Sequence, residues 1–420
     1  MSVLTSVQAS TDTGVYIIMA SKPIWSAAFL EGSRPFTVPL LYKLFNSNFI
    51  LIAFFQSIFS LLCWSFLAFQ ISNVIKSRWL KIPAFTLVLL FSLSENIIQW
   101  DSVLLSESVS LSLMALFLAG WFWILNSWNW QKVVFLVVVA FFWTFSRDTN
   151  AWIILMIGII TAVIAVWKGS FKRYLIIAGV FILFFATNEI SSNTGHRWIF
   201  PFLNILSQRI LPNKENTSFF SKNRMPVTPA LMRMSGKWAS RENWAYYRDP
   251  ALKDFRLWLH NNGKSTYIHW LLSRPYQTLK EPISNRQRLL SSRGRNYFSP
   301  GFSPVLPVLL DKIVYPTDHL LLVILMLIFI IFEAIGLIIS QRVYWYNPAW
   351  IVLLFMILLI YSHAFLVWHG DAMEIGRHSL QVSVQFYLSL WTAILLTIDC
   401  VYLVKSKDKA TRKRDELFVK

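Results

Sequence analysis

The sequence predicts an all-α, polytopic membrane helix bundle of about nine spans with a largely helical extracytoplasmic loop region. Three observations predict it. Of 420 residues, 55% are hydrophobic and 14% are charged, and the mean hydropathy is +0.51, which is too apolar for a soluble domain. The apolar residues fall in runs near the ~20 residues that a bilayer core requires of a helix, far longer than the alternating segments of a transmembrane barrel. The formal charge of +18 is concentrated in two polar stretches. Hydrophobicity excludes disorder. Two cysteines, Cys63 and Cys400, both in apolar runs, exclude a disulfide scaffold.

Taken in order, residues 1–48 form an extracytoplasmic first-loop segment. Residues 49–189 form a six-span module with runs at 49–73, 82–98, 104–126, 132–146, 151–167 and 173–189. Residues 190–316 form a basic extracytoplasmic loop region. Residues 317–404 hold three more runs, at 318–340, 348–368 and 379–404, and 405–420 is a basic tail. Each run reads as a helix, because a helix satisfies its own backbone polar groups in lipid. Lys76, Arg78 and Lys81, then Lys132, then Lys168, Lys172 and Arg173, then Arg342, all fall in loops on one side if nine spans alternate. The tail joins that side, so the positive-inside rule predicts a cytoplasmic C-terminus. The N-terminal segment then lies outside. Residues 1–11 are too polar for a signal peptide. Either the N-terminal segment is translocated with the first span, or the chain lacks an initial transmembrane helix.

The loop 190–316 carries 19 basic and six acidic residues, a balance of +13, and the tail carries +4. Loops longer than about 60 residues cross regardless of charge, so the orientation stands. Phe255, Trp258 and Leu259, then Tyr267, Trp270, Leu271 and Leu272, recur at helical spacing among basic residues. Two short amphipathic helices are predicted, broken near Asn261–Gly263 and ended near Arg274–Pro275. Such segments suit the lipid headgroup level. Most of the arginines need do no more than attract anionic lipid, while two or three are expected to hold a substrate phosphate. No nucleic-acid partner is expected.

Polar residues collect on the predicted outer side. Asp12 and Tyr16 lie in the N-terminal segment, followed by Ser33-Arg34-Pro35. Asp101 occupies the second outer turn, with Ser106-Glu107-Ser108 just inside the next span. Arg147-Asp148-Thr149-Asn150 makes the third turn, and His369-Gly370-Asp371 with Glu374, Arg377 and His378 the last. Each residue alone has an ordinary structural reading: an exposed tail acid for Asp12, a headgroup anchor for Arg34, an ion pair for Arg147 with Asp148. Glu95, Glu333 and His363 read as structural hydrogen-bonding residues within helices. The inner turns lack the acid–arginine pattern, and this asymmetry points to a binding or reaction site on the outer face. Transfer of a sugar from a lipid phosphate needs a carboxylate to take the acceptor proton. It also needs cations to stabilise the departing phosphate. Asp12 and Asp101 are the candidate catalytic acids. Arg34, Glu107, Arg147, Asp148, Glu374, Arg377 and His378 are the candidate substrate- or phosphate-binding residues. No Gly-rich phosphate loop, HExxH or GxSxG is present.

This layout resembles the GT-C superfamily of membrane glycosyltransferases, which includes protein mannosyltransferases and aminoarabinose transferases of lipid A. Asp12 with Tyr16 is similar to that family's first-loop acid, and Asp101 to its second-loop acid. Ser106-Glu107-Ser108 resembles a polar patch at the start of the following helix, residues 190–316 resemble the large outer loop, and Glu374 with Arg377-His378 resembles a late motif of some bacterial members. The resemblance implies a polyprenyl-phosphate or diphosphate sugar donor, a glycan, lipid or protein acceptor, and a bacterial cytoplasmic membrane. It leaves a divalent metal open. The family's first transmembrane helix has no counterpart here. A polysaccharide polymerase or ligase on undecaprenyl-diphosphate glycans is a second enzymatic reading. A lipid or glycan transporter would instead place polar residues near the midplane on broken helices, and a structural assembly protein would use the arginines only for folding.

Overall fold

A computed structural model describes residues 7–168, 171–291, 297–298, 304–317, 319–339 and 347–418. Arg293 and Arg295 of the basic loop, Arg342, and Lys420 of the basic tail lie outside them. Among the described residues the secondary-structure elements are helices, with one isolated bridge between Gln8 and Val103. The N-terminal segment forms α1 (Thr11–Ala20) and α2 (Thr37–Leu44). The bundle follows with α3 (Phe49–Val74), α4 (Arg78–Ser92), α5 (Glu107–Asn126), α6 (Trp130–Thr144), α7 (Asp148–Lys168) and α8 (Phe171–Thr194). After α9 (Ile199–Ile205) and further short helices, including α10 (Pro275–Ser284), come α11 (Leu320–Ile339), α12 (Ala349–Gly370) and α13 (Leu380–Phe418).

Among the described residues, six helices are long and apolar enough to cross a membrane: α3, α5, α7, α8, α12 and α13. The count becomes seven if one bent pair is a single span. These criteria do not confirm nine spans among the described residues, and two of the runs show why. The run at 82–98 is not one helix: Ser94 adopts an extended conformation, and Glu95–Ser102 leaves α4 at 52°. The run at 132–146 becomes α6, whose 15 residues rise only ~22 Å against a hydrocarbon core of ~30 Å. The run at 318–340 becomes α11, whose 20 residues rise ~30 Å, the thickness of a hydrocarbon core.

One large buried cluster joins α3 to α8 with α12 and α13. α13 is fastened at one end of the bundle by Asp399, which accepts the backbone N–H groups of Lys76 (3.0 Å) and Ser77 (2.8 Å) from the α3–α4 turn. The other end is covered by the N-terminal segment. Gln8 exchanges backbone hydrogen bonds with Ser102 and Leu104, and the hydroxyls of Thr13 and Tyr42 both donate to the Leu104 carbonyl at 2.9 Å. The Thr37 amide bonds the Phe145 carbonyl. These contacts draw the segments around 12, 34, 104 and 147 to the same end of the bundle.

The basic loop has its own core of Phe202, Leu206, Phe220, Leu231, Tyr246, Phe255, Trp258 and Trp270. The break expected near Asn261–Gly263 does not occur. A π-helical turn, Leu259–Gly263, joins Lys253–Trp258 to Lys264–Ser273 in continuous helical conformation. Phe255, Trp258, Leu259 and Trp270 turn into the local core. Those four residues belong to the core of a folded subdomain, while Leu272 of the same pattern is 72% exposed.

Candidate functional site

The site is assembled from α1, the turn before α2, the first turn of α5, the α6–α7 turn and the segment between α12 and α13. Asp12 sits in the first turn of α1, close after the Ser10 N-cap, where a carboxylate suits the positive end of the helix. Its Oδ1 lies 2.5 Å from Arg34 and its Oδ2 lies 3.2 Å from Arg377. Arg377 spreads its guanidinium over several partners. Its Nη2 meets Asp12, its Nε lies 3.3 Å from Glu107, and its Nη1 lies 3.2 Å from Glu374. Nη1 also donates to the Tyr297 hydroxyl at 3.1 Å, and that hydroxyl donates in turn to Glu374. A rigid five-donor fork can do this; a single ammonium cannot. Glu374 has φ of 50°, a left-handed conformation uncommon for a residue with a side chain, and from it reaches Arg377 one helical turn on.

Behind Arg377 lies Glu107, at the start of α5. It is 1% exposed and sits between Arg377 and Arg147, the latter at 3.5 Å. Neither of its oxygens has a hydrogen-bond partner among the described residues. Arg147 continues to His378, 2.8 Å away at Nδ1. His378 Nε2 faces Asp371 at 3.7 Å. Asp371 is fixed by the amides of Ala372 and Met373 and by Asn204 of α9. One connected network therefore contains Asp12, Arg34, Glu107, Arg147, Glu374, Arg377 and His378. Side-chain exposure falls from 36% at Arg34, through 21% at Asp12 and 10% at Arg377, to 1% at Glu107. The network opens at Arg34 and Asp12 and closes at Glu107.

Burial and charge set the protonation states. Burial alone would raise the Asp12 pKa, but Arg34 and Arg377 outweigh it and hold the carboxyl below its ordinary value. Burial pulls Arg377 down, and Glu107, Glu374 and Asp12 reverse this and push it up. Arg147 is lowered by burial, which its contact with Glu107 only partly offsets. Burial and then the three arginines depress His378 well below the usual imidazole value, so its ring is neutral. A neutral ring that accepts from Arg147 at Nδ1 carries its proton on Nε2, facing Asp371. Burial pushes Asp371 up to about 6.

Two of the candidate residues stand outside this network. Asp101 is buried in the 3₁₀ turn before α5, where its carboxylate accepts the Ser108 hydroxyl at 2.5 Å. No ion pair involves it among the described residues. Asp148, though next to Arg147, turns the other way. It binds Arg197 at 2.9 and 3.1 Å and Asn188 at 3.1 Å. Arg147 and Asp148 therefore do not pair with each other in the way their adjacency suggested. Sequence reasoning missed Tyr297 and Asn204, which carry no periodic or motif signal. It counted Arg197 only as loop charge.

Among the described residues, no three of His, Cys, Asp and Glu gather closely enough to hold a metal ion. The positive charge at this site comes from guanidinium groups. Three arginines face three carboxylates (Asp12, Glu107 and Glu374), with neutral His378 and Asp371 at the rim. Such a site can receive an anion by exchange of arginine partners and can present a carboxylate beside it. No family profile, curated protein or solved structure matches the chain.

Proposed function

We propose that this chain is a membrane glycosyltransferase that moves a sugar from a polyprenyl-phosphate or diphosphate donor to an acceptor hydroxyl at the extracytoplasmic face, with its C-terminus cytoplasmic. The observation that carries the reading is Asp12 held between Arg34 and Arg377 at the open edge of a buried arginine–carboxylate network. In this reading the donor phosphate takes hydrogen bonds from Arg34 and Arg377, with Arg147 adding charge from behind. As those guanidinium groups turn to the phosphate, Asp12 loses the contacts that depress its pKa and becomes a stronger base. It then accepts the acceptor hydroxyl proton as the oxygen attacks the anomeric carbon and the bond to the phosphate oxygen breaks. The electron pair leaves with the lipid phosphate, whose charge the arginines stabilise. Glu107 and Glu374 hold Arg377 in place between turnovers. Asp101 has no part in this sequence, because its carboxylate is committed to Ser108 outside the network.

The test uses sealed vesicles containing the purified chain, a radiolabelled polyprenyl-phosphate sugar and a membrane extract as the acceptor source. The reading expects label to move from the donor lipid into a product of different mobility. Passage of intact donor between leaflets with no such product would favour the transporter reading and overturn this one.

A further inference from the structure

The loop region contains a helix whose position the subdomain core does not explain. α10 packs along the side of α12, with contacts from the last turn of α12 down to Tyr361. Tyr361 of α12 donates to the Leu279 carbonyl at 2.7 Å. Trp368 Nε1 donates to Glu281 at 3.1 Å, and His369 Nε2 lies 2.9 Å from the Thr278 carbonyl. Just beyond α10, Leu289 packs with Ala364 and Val367 of α12. Tyr361 precedes Gly370, the last residue of α12, by nine positions, which at 1.5 Å per residue places it ~14 Å below the helix end.

Length decides whether this depth lies in water or in lipid. α12 has 22 residues, or ~33 Å, barely more than a hydrocarbon core of ~30 Å. If its last nine residues stood in water, the remainder would span only ~20 Å and could not cross. The level occupied by α10 is therefore within or at the boundary of the apolar layer.

The faces of α10 agree. Thr278 and Pro282 are buried. Tyr276, Leu279 and Ile283 share the opposite side at i, i+3 and i+7 spacing, and Tyr276 and Ile283 are 72% and 56% exposed. The Lys280 ammonium lies 5.3 Å from the Tyr276 ring centroid, and Arg286 and Arg288 are exposed just beyond. An apolar strip edged by Tyr and Lys is the pattern of a headgroup boundary, where the stem packs in hydrocarbon and the charge meets lipid phosphate. The strip also continues the exposed face of α12 at Leu354, Ile357, Leu358 and Tyr361.

We infer that α10 is an interfacial helix seated in the bilayer against α12, with its Tyr276–Leu279–Ile283 face covered by lipid and its Lys280 and following arginines at anionic headgroups. The inference holds whether or not the chain is a transferase, since it concerns only where the helix sits. If the chain is one, lipid reaches to within one helix of the 371–378 segment that carries Arg377.

The experiment places nitroxide labels at Leu279→Cys, Ile283→Cys and, as an aqueous reference, Lys214→Cys, in otherwise native full-length chain. Cys63 and Cys400 are buried, and the unsubstituted chain serves as the labelling blank. In nanodiscs of phosphatidylcholine with phosphatidylglycerol, collision rates with oxygen and with a water-soluble nickel chelate are compared. The inference expects oxygen to exceed nickel several-fold at 279 and 283 and the reverse at 214. Nickel access at 279 and 283 would show an aqueous face and overturn it. Exclusion of both colliders would show a protein partner covering the strip and would overturn it equally.

Discussion

Replacing Glu107 with Gln tests the network where it is most buried. The substitution keeps the shape of the side chain and removes one negative charge that is 1% exposed, 3.3 Å from Arg377 Nε and 3.5 Å from Arg147 Nη1. At an effective dielectric near 20, each such pair has a gross attraction of ~4 kcal/mol. Most of that offsets the cost of burying the ions, so the net worth of the arrangement is small. Removing one partner is different, because it strands the other charges without water. Breaking a buried pair costs ~3–5 kcal/mol. Glu107→Gln should therefore destabilise the chain by about that amount in equilibrium unfolding in mixed micelles. Arg147→Met in the Gln background should recover part of the loss, because the stranded cation is gone. For residues in contact, the cycle should return ~1–3 kcal/mol of coupling. Additivity of the two substitutions to within ~0.5 kcal/mol would refute the claim that Glu107 acts by neutralising the arginines.

Further outcomes follow from the same geometry. Arg377→Lys keeps the charge but cannot reach Asp12, Glu107, Glu374 and Tyr297 together, so donor-dependent turnover should fall at least about tenfold, or ~1.4 kcal/mol; unchanged steady-state rates would contradict this. Asp371 carries a pH signature. Its folded pKa of about 6 lies above the unfolded value, so the folded state holds the proton more tightly. Stability should decline by roughly 3 kcal/mol as the pH rises from about 4 to about 6, then level off. Asp371→Asn should flatten that slope in thermal melts and raise stability above pH 6. A melt of the native chain that strengthens across this window would contradict the assignment.

Much of the fold was legible because lipid imposes simple demands on sequence. Runs such as those that became α3, α5 and α12 are long, apolar and nearly uncharged, and no other structure satisfies their backbone. The span count was less legible. A hydropathy run does not reveal that Ser94 turns the chain between α4 and the Glu95–Ser102 segment, nor that α6 stops after 15 residues. The site was legible as a set, because acids and arginines recurred in turns that alternation placed on one side, and the structure joins Asp12, Arg34, Glu107, Arg147, Glu374, Arg377 and His378. The pairings were not legible. Asp148 finds Arg197, 49 residues away, in preference to its neighbour Arg147, and Asp101 turns to Ser108 in the next helix. Such choices depend on side-chain direction at helix ends, which spacing alone does not encode. In the loop, the aromatic periodicity was real, and most of it reported a subdomain core.

The proposed transfer makes Asp12 the base and gives Asp101 no part in the chemistry. The direct measurement compares single-turnover transfer from a polyprenyl-phosphate sugar by Asp12→Asn and Asp101→Asn chains in proteoliposomes, with donor binding checked in parallel. Asp12→Asn should retain donor binding and lose ~10²–10⁴ of its rate, while Asp101→Asn should lose far less. Undiminished transfer by Asp12→Asn would contradict it.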